Sequence, residues 1–175
     1  MGKSGKFALG CALAALAITQ VAAQTVPDFA PVTDAEIQQP DPSDWLSWRR
    51  TLDSWGYSPL DQIDTSNVQN LRLVWAMPLN SGHQEGTPLV RDGIMYFPGP
   101  ADTIHAIDAK SGQLIWRHAR DLPEDIGNYL PVYDTTRNVA LYGNLVIGNS
   151  ADNYLYALDA RTGELAWETQ ILDYR

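Results

Sequence analysis

The sequence predicts an all-β fold that forms the first part of a β-propeller built from four-stranded units. The first observation is a stretch of eleven residues, 106–116, which returns at 157–167 with Ala, Asp, Ala, Gly, Leu and Trp identical in both copies. The second is the offset of 51 residues between the copies, because self-similarity at roughly 40–50 residues is typical of propellers and solenoids. The third is that no sustained helical periodicity follows the first residues of the chain.

The repeated stretch predicts two strands joined by a tight turn. In each copy an Asp follows a short strand, and its carboxylate can accept backbone N–H bonds within the turn. A Gly then supplies the positive φ that a tight turn requires. A Trp ends the second strand, and so large a ring needs a neighbouring unit to bury it. The residues that we expect to be structural in this way are Asp108, Gly112 and Trp116 in the first copy and Asp159, Gly163 and Trp167 in the second.

Composition and charge narrow the class of protein. The chain has 175 residues, of which 45% are hydrophobic and 10% aromatic, so it can form a core. Its formal net charge of −9 argues against a nucleic-acid partner, since proteins that bind nucleic acids usually carry basic patches.

The first 23 residues are predicted to be a secretory signal peptide. Lys3 and Lys6 precede an apolar run from Phe7 to Val21, and small residues stand at the expected cleavage position. A transmembrane anchor is the alternative, but the run is short for a span, which needs about 20 apolar residues. The mature chain is therefore predicted to have no transmembrane anchor. It would also lack disulfides, because Cys11 is the only cysteine and lies within the signal.

The region between the signal and the first repeat contains three predicted elements. The stretch from Gln24 to Asp44 carries four prolines and five acidic residues, which predicts an extended or disordered lead-in over residues 24–43. Residues 65–71 are predicted to form a single helical turn capped by Thr65 or Ser66. Leu71–Trp75 is predicted to be a strand that ends in Trp without the preceding turn of the repeat. Such a stray strand would complete a closed propeller by joining its last blade.

Two four-stranded units account for most of the remaining chain, 44–175 being the predicted propeller segment. The first unit is predicted at 87–90, 92–97, 103–109 and 113–118, and the second at 136–141, 144–148, 154–160 and 164–170, with a loop at 121–133 between them. At least three repeats are normally needed for stability. The sequence therefore reads as the N-terminal piece of a longer protein, with closure of a ring by oligomerisation as the alternative.

The motifs resemble those of one family. The doubled Ala-x-Asp-x-x-Ser/Thr-Gly-x-x-x-Trp is similar to the tryptophan-docking motif of the quinoprotein alcohol dehydrogenases, which use pyrroloquinoline quinone (PQQ). The opening from Asp44 to Leu60 and the stretch from Gly82 to Tyr96 also resemble the start of their mature chains and their first blade. The resemblance implies an eight-bladed propeller in the periplasm that binds PQQ and Ca²⁺, oxidises alcohols to aldehydes and passes electrons to a cytochrome c.

The same resemblance implies two cofactor-binding residues. Glu85 matches the family's first-blade glutamate and Arg137 its second-blade arginine. A guanidinium pairs bidentately with carboxylates such as the three of PQQ, and it stays charged at any relevant pH. Glu85 beside such a polyanion must be protonated or accept a hydrogen bond from the cofactor or Arg137. The Ca²⁺ ligands and the catalytic aspartate are expected downstream of residue 175, so this chain is predicted to contain no catalytic or metal-ligating residue and to be inactive alone.

The sequence departs from the family at one place and leaves other interpretations open. Many members have two adjacent cysteines between the glutamate and the arginine, whereas this chain has Tyr-Leu-Pro-Val-Tyr at 129–133. His83 and His105 show no metal-ligand spacing and are expected to be surface or core residues. A non-enzymatic Trp-repeat propeller that acts as a scaffold in outer-membrane assembly is the alternative function; it has no reason to keep Glu85 and Arg137 as a pair. A sugar-oxidising quinoprotein is a third, which the opening segment fits less well.

Overall fold

Two antiparallel sheets make up the ordered structure, a computed structural model that describes residues 25–26 and 28–175. The first blade consists of β1 (Leu89–Arg91), β2 (Ile94–Gly99), β3 (Thr103–Asp108) and β4 (Leu114–Ala119), hydrogen-bonded in that order. The second consists of β5 (Val139–Tyr142), β6 (Leu145–Asn149), β7 (Tyr154–Asp159) and β8 (Leu165–Gln170). The predicted all-β class and the two four-stranded units are thereby confirmed. The predicted signal peptide lies outside the described residues.

Helical structure is limited to short segments. A helix, α1, spans Asp34–Gln38, and single 3₁₀ turns lie at Val68–Asn70 and Ile126–Asn128. Among the described residues no helix is long and apolar enough to cross a membrane.

The two copies of the sequence repeat are also copies in structure. In both blades the pairing of the third strand with the fourth shifts register at the same place, between Ala106 and Ile107 and between Ala157 and Leu158. The Asp108 carboxylate accepts hydrogen bonds from the backbone N–H and the hydroxyl of Ser111, at 2.7 and 2.8 Å. Asp159 likewise accepts the backbone N–H groups of Arg161 and Thr162, at 2.8 and 3.3 Å. In both blades the Asp carboxylate therefore binds backbone N–H groups of its own turn.

The tryptophans dock on the turn of the following unit. The indole Nε1 of Trp116 donates to the carbonyl of Ala160 in the second blade at 3.0 Å. That of Trp75 donates to the carbonyl of Ala109 in the first blade at 3.1 Å. Trp167 lies on β8, all of whose residues are exposed. Trp75 and Trp116 are thus each docked on the turn of the unit that follows.

The core lies between the two blades, where β5 contacts β1 and β2. Its largest fully buried side chains are Tyr96 and Tyr156. The hydroxyl of Tyr96 crosses to the second blade and donates to the carbonyl of Ala160 at 3.1 Å. Burial removes solvent from the Tyr96 phenol and raises its pKa. The blades are therefore joined by both apolar packing and a buried hydrogen bond.

The predicted lead-in is an ordered arm rather than a disordered one in the part described. Val26 donates its backbone N–H to the carbonyl of Arg161, and Val32 exchanges two backbone bonds with Gly143 at 2.9 and 2.8 Å. Both valines are buried. Helix α1, which the sequence did not predict, begins with a capping box between Thr33 and Glu36. The apolar contacts of the arm and its backbone pairing with distant residues outweigh the disorder that proline and acid content favour.

A buried arginine fixes the end of the arm to the first blade. Arg91 in β1 contacts Glu36 at 2.6 Å and Asp44 at 2.8 Å. Burial of the guanidinium by itself would lower the pKa of Arg91. The hydrogen bonds to Asp44 and Glu36 outweigh this effect and raise the pKa. Trp45 then pairs its backbone with Val90 of β1. The arm thus crosses both blades.

Residues 65–79 differ from the predicted side-chain cap, whereas the predicted joining of Leu71–Trp75 to the last blade stays a prediction. The 3₁₀ turn begins after Asn67, with no side-chain cap from Thr65 or Ser66. Asp64 instead accepts the backbone N–H and the hydroxyl of Ser66 at 2.7 and 2.6 Å. Leu71–Trp75 pairs with no strand among the described residues, although exposure alternates residue by residue from 74 to 80, as in an extended chain lying on a surface.

Candidate cofactor-binding site

Glu85 and Arg137 lie at the same end of the two blades. Each residue precedes the first strand of its blade, Glu85 before β1 and Arg137 before β5. Because the strands are antiparallel, the loops that join β2 to β3 and β6 to β7 lie at this end as well. The turns of the sequence repeat and the contacts of Val26 and Val32 lie at the opposite end. The end with the two charged residues is therefore free of the arm's backbone pairing.

The structure brings these two side chains into direct contact. The Arg137 Nε lies 2.8 Å from the Glu85 Oε2, and the side chains are 62% and 52% exposed. The contact uses the Nε edge of the guanidinium. Because more than half of the Arg137 side chain is exposed, the guanidinium stays accessible to solvent beside this contact.

A backbone bridge aligns the segments that carry the pair. Gln84 and Thr136 form a parallel bridge, and the backbone N–H of Thr87 donates to the carbonyl of Arg137 at 3.3 Å. Glu85 and Arg137 each follow the bridge by one residue. The ion pair is thus the side-chain continuation of a short backbone ladder between the blades.

Asp102, in the loop between β2 and β3, holds the second blade in place at this end. Its carboxylate accepts hydrogen bonds from the hydroxyls of Thr136 and Ser150 at 3.0 and 2.6 Å and from the backbone N–H of Ala151 at 2.9 Å. Its own N–H donates to the Thr136 hydroxyl at 3.1 Å. Asp102 is only 2% exposed. It fixes Thr136, and with it the start of the segment that ends in Arg137.

A second side-chain contact, between His83 and Asp134, lies on the other side of the backbone bridge. The Nδ1 of His83 lies 3.1 and 3.2 Å from the two carboxylate oxygens of Asp134. The hydrogen bond from His83 is the main cause that lowers the pKa of Asp134. The backbone carbonyl of Asp134 also accepts a hydrogen bond from the N–H of Ala101 at 2.8 Å. Gly82 packs closely here, since a Cβ on Gly82 would lie 2.6 Å from Pro100 and 3.3 Å from the Asp134 carboxylate.

The other histidine named from the sequence is a core residue. His105 lies in β3 and is 5% exposed. Its burial lowers the pKa of the imidazole, while a hydrogen bond to the backbone of Phe97 acts in the opposite direction. No group of three or more His, Cys, Asp or Glu side chains suited to a metal ion occurs in residues 25–26 and 28–175.

Sequence reasoning did not single out Asp102 or Asp134. A signal for Asp102 does exist: Ala101-Asp102 and Ala151-Asp152 occupy the same place in the two blades, five or six residues before the repeated Ala-x-Asp. Both aspartates are buried. Asp134 carries no such signal, because its contact is with His83, which is 51 residues away in sequence.

The residues at this end fit the chemistry of a planar polycarboxylate. Arg137 supplies an exposed guanidinium, a group that can pair with a carboxylate through two nitrogens. Glu85 accepts a hydrogen bond from that guanidinium, which meets the requirement set out above for an acid beside an anionic ligand.

Comparison with known proteins gives a consistent picture. The family described as the PQQ glucose/ethanol/alcohol dehydrogenase β-propeller domain matches residues 45–165. The dehydrogenase subunit of the quinone alcohol dehydrogenase of Gluconacetobacter polyoxogenes is 39% identical over 132 residues, which is 75% of this chain and 18% of that protein. The 1-butanol dehydrogenase (cytochrome c) of Thauera butanivorans is 39% identical over 117 residues, 66% of this chain and 17% of that protein.

A solved structure shows the same architecture. The quinohemoprotein alcohol dehydrogenase ADHIIG of Pseudomonas putida HK5 superimposes with a TM-score of 0.74 at 36% identity, covering 84% of this chain and 22% of that one. This chain thus spans about a fifth of the length of the curated relatives it matches.

Proposed function

We propose, because this chain belongs to the β-propeller family of PQQ-dependent glucose, ethanol and alcohol dehydrogenases, that its two blades form one side of the cofactor pocket of a quinoprotein that oxidises alcohols to aldehydes. The observation that carries the proposal is the contact of Arg137 with Glu85 at 2.8 Å, on the end of the blades that the arm leaves open. The scaffold alternative gives no reason for that pair.

Each residue of the pair has a distinct role in this proposal. Arg137 binds a carboxylate of the cofactor through its terminal nitrogens while its Nε stays bonded to Glu85. Glu85 holds the guanidinium plane in one orientation, so less side-chain entropy is lost when the cofactor binds. PQQ supplies the two-electron acceptor for the alcohol when bound. The pair binds and orients; it moves no proton of the substrate.

The remaining parts of the reaction are assigned to residues outside this sequence. A Ca²⁺ ion would act as a Lewis acid and an aspartate as the base, both held by residues downstream of 175, as the family resemblance implies. Transfer of electrons to a cytochrome c is supported by the name of the butanol dehydrogenase relative. A periplasmic location is supported by the predicted signal peptide. The 175 residues alone are proposed to be inactive.

The test uses the complete gene product purified without cofactor. We expect PQQ added with CaCl₂ to bind and to restore dye-linked oxidation of primary alcohols. Arg137→Lys should weaken PQQ binding by about 10–100-fold, because lysine cannot make the bidentate contact that charged hydrogen bonds of this kind provide. Arg175→Lys, at an arginine with comparable exposure, is the matched control and should bind PQQ normally. Equal affinities in both variants would contradict the assigned role of Arg137, and oxidation by the 175-residue chain alone would contradict its inactivity.

A further inference from the structure

His83 has no role in the proposed function, yet it is tied to the segment that carries Arg137. Its imidazole contacts both oxygens of Asp134. The backbone carbonyl of Asp134 in turn accepts a hydrogen bond from the N–H of Ala101 in the first blade at 2.8 Å. The His83–Asp134 pair thus joins the loop before β1 to the loop before β5.

The His83–Asp134 and Glu85–Arg137 pairs flank the same backbone bridge. Gln84 and Thr136 form the bridge; His83 precedes Gln84, and Asp134 lies two residues before Thr136. On the far side, Glu85 and Arg137 each follow by one residue. A displacement of residues 82–84 would therefore be transmitted to the Glu85 carboxylate, which has no other side-chain partner among the described residues than Arg137.

The loop before β1 has few other attachments. Its residues 80–85 are exposed, and the Gln84 side chain bonds only locally, to the carbonyl of Gly86 at 3.2 Å. Packing of Gly82 against Pro100 and Asp134 limits the approach from one side. Upstream of Glu85 in this loop, the His83 side chain forms a hydrogen bond to the second blade, at Asp134.

We propose that His83 and Asp134 are a positioning pair, which holds the Glu85–Arg137 pair in the arrangement that binds the anionic cofactor without itself contacting it. This inference rests on the proposed function. An ordered pair loses less conformational entropy on binding than a mobile one. The lowered pKa of Asp134 agrees with a carboxylate that stays charged and bonded. His83 therefore acts through Glu85 and Arg137.

The experiment is a double-mutant cycle for PQQ binding by the complete apoprotein in CaCl₂. His83→Leu and Asp134→Asn should each weaken PQQ binding about three- to fivefold, the range of an exposed ion pair. In the Arg137→Lys background the His83→Leu change should have little further effect, because the group that it positions is already impaired. His83→Gln, which keeps a donor, should retain most of the affinity. Glu164→Gln, at an exposed position of the second-blade turn, is the control and should bind as the wild type.

A second readout does not depend on the cofactor. Amide hydrogen exchange of residues 82–87 in the apoprotein should become faster in His83→Leu, with the midpoint of thermal unfolding unchanged. Unchanged affinity and exchange in both single variants would overturn the inference. Additive effects in the cycle would overturn it too, since they would mean that His83 acts independently of Arg137. Failure of the wild-type protein to bind PQQ would instead contradict the proposed function.

Discussion

The ring of Trp116 occupies the space in which a side chain on Gly163 would have to lie. A Cβ on Gly163 would stand 2.6 Å from the Cε3 of Trp116, and the φ of Gly163 is +73°. The preceding unit repeats the relationship, since a Cβ on Gly112 would stand 2.5 Å from the ring of Trp75. The glycine of the repeat thus serves two needs, the left-handed turn and the close approach of the tryptophan.

Replacing this glycine should separate the two needs. Gly163→Ala should lower the free energy of unfolding by about 2–4 kcal/mol, of which about 1–2 kcal/mol comes from the left-handed backbone and the rest from displacement of the ring. Gly93→Ala is the matched control: its φ is +77° but a Cβ there meets nothing within 4 Å. It should lose only the backbone part. Urea unfolding of the complete gene product measures both, and equal losses would show that the ring is not restricted by Gly163.

The carbonyl of Ala160 accepts from two donors of the first blade, the hydroxyl of Tyr96 and the indole of Trp116. Tyr96→Phe should therefore cost only about 0.5–1.5 kcal/mol, because it removes a donor and leaves the carbonyl still bonded. Trp116→Phe should cost more, since it also leaves a gap at a buried ring. Denaturant midpoints of the two variants test this order, and a larger loss for Tyr96→Phe would contradict it.

The strands could be predicted from the sequence because repetition and turn chemistry are local. The largest error at a strand start is in β5, predicted from residue 136 but observed from Val139. The cause is Thr136, whose side chain binds the buried Asp102 and whose backbone bridges to Gln84. A long-range contact of this kind has no trace in the alternation of apolar residues.

The arm and part of the site could not be predicted for the same reason. Proline and acid content predicted an extended or disordered arm, but its order comes from Gly143, Arg161 and Arg91, which are distant in the chain. Glu85 and Arg137 could be named only through the family resemblance. Their contact across 52 residues follows from the packing of one blade on the next.

Asp102 should be among the most sensitive polar residues of the chain. The two carboxylate oxygens of Asp102 accept hydrogen bonds from two hydroxyls and from the Ala151 N–H. In Asp102→Asn an amide nitrogen, which cannot accept, replaces one of these oxygens. A buried group is then left unpaired, so the free energy of unfolding should fall by about 2–3 kcal/mol. Ser150→Ala, which removes one donor, should cost about 1 kcal/mol. Chemical denaturation measures the free energy of unfolding of both variants. A loss in Asp102→Asn no greater than that in Ser150→Ala would contradict the role of Asp102 in holding the second blade.

Two half- to fully buried histidines should make stability depend on pH near neutrality. Burial is the main cause that lowers the pKa of His105 in β3 and of His118 in β4. The unfolded chain takes up protons on these residues near pH 6.5, whereas the folded chain does so only at lower pH. The unfolded state therefore binds more protons as pH falls, so the free energy of unfolding should decrease from pH 7.5 to 5.5.

The size of the effect and its source can both be measured. Each histidine contributes a slope of at most about 1.4 kcal/mol per pH unit. Carboxylates whose pKa is lowered, such as Asp159, are protonated only at more acidic pH. Their contribution to the free energy of unfolding is therefore not lost between pH 7.5 and 5.5. Urea titrations at several pH values should give a smaller slope in His105→Leu and in His118→Leu than in the wild type, whatever the absolute stability of each variant. An unchanged slope in both would mean that the folded protein protonates these rings as readily as the unfolded chain.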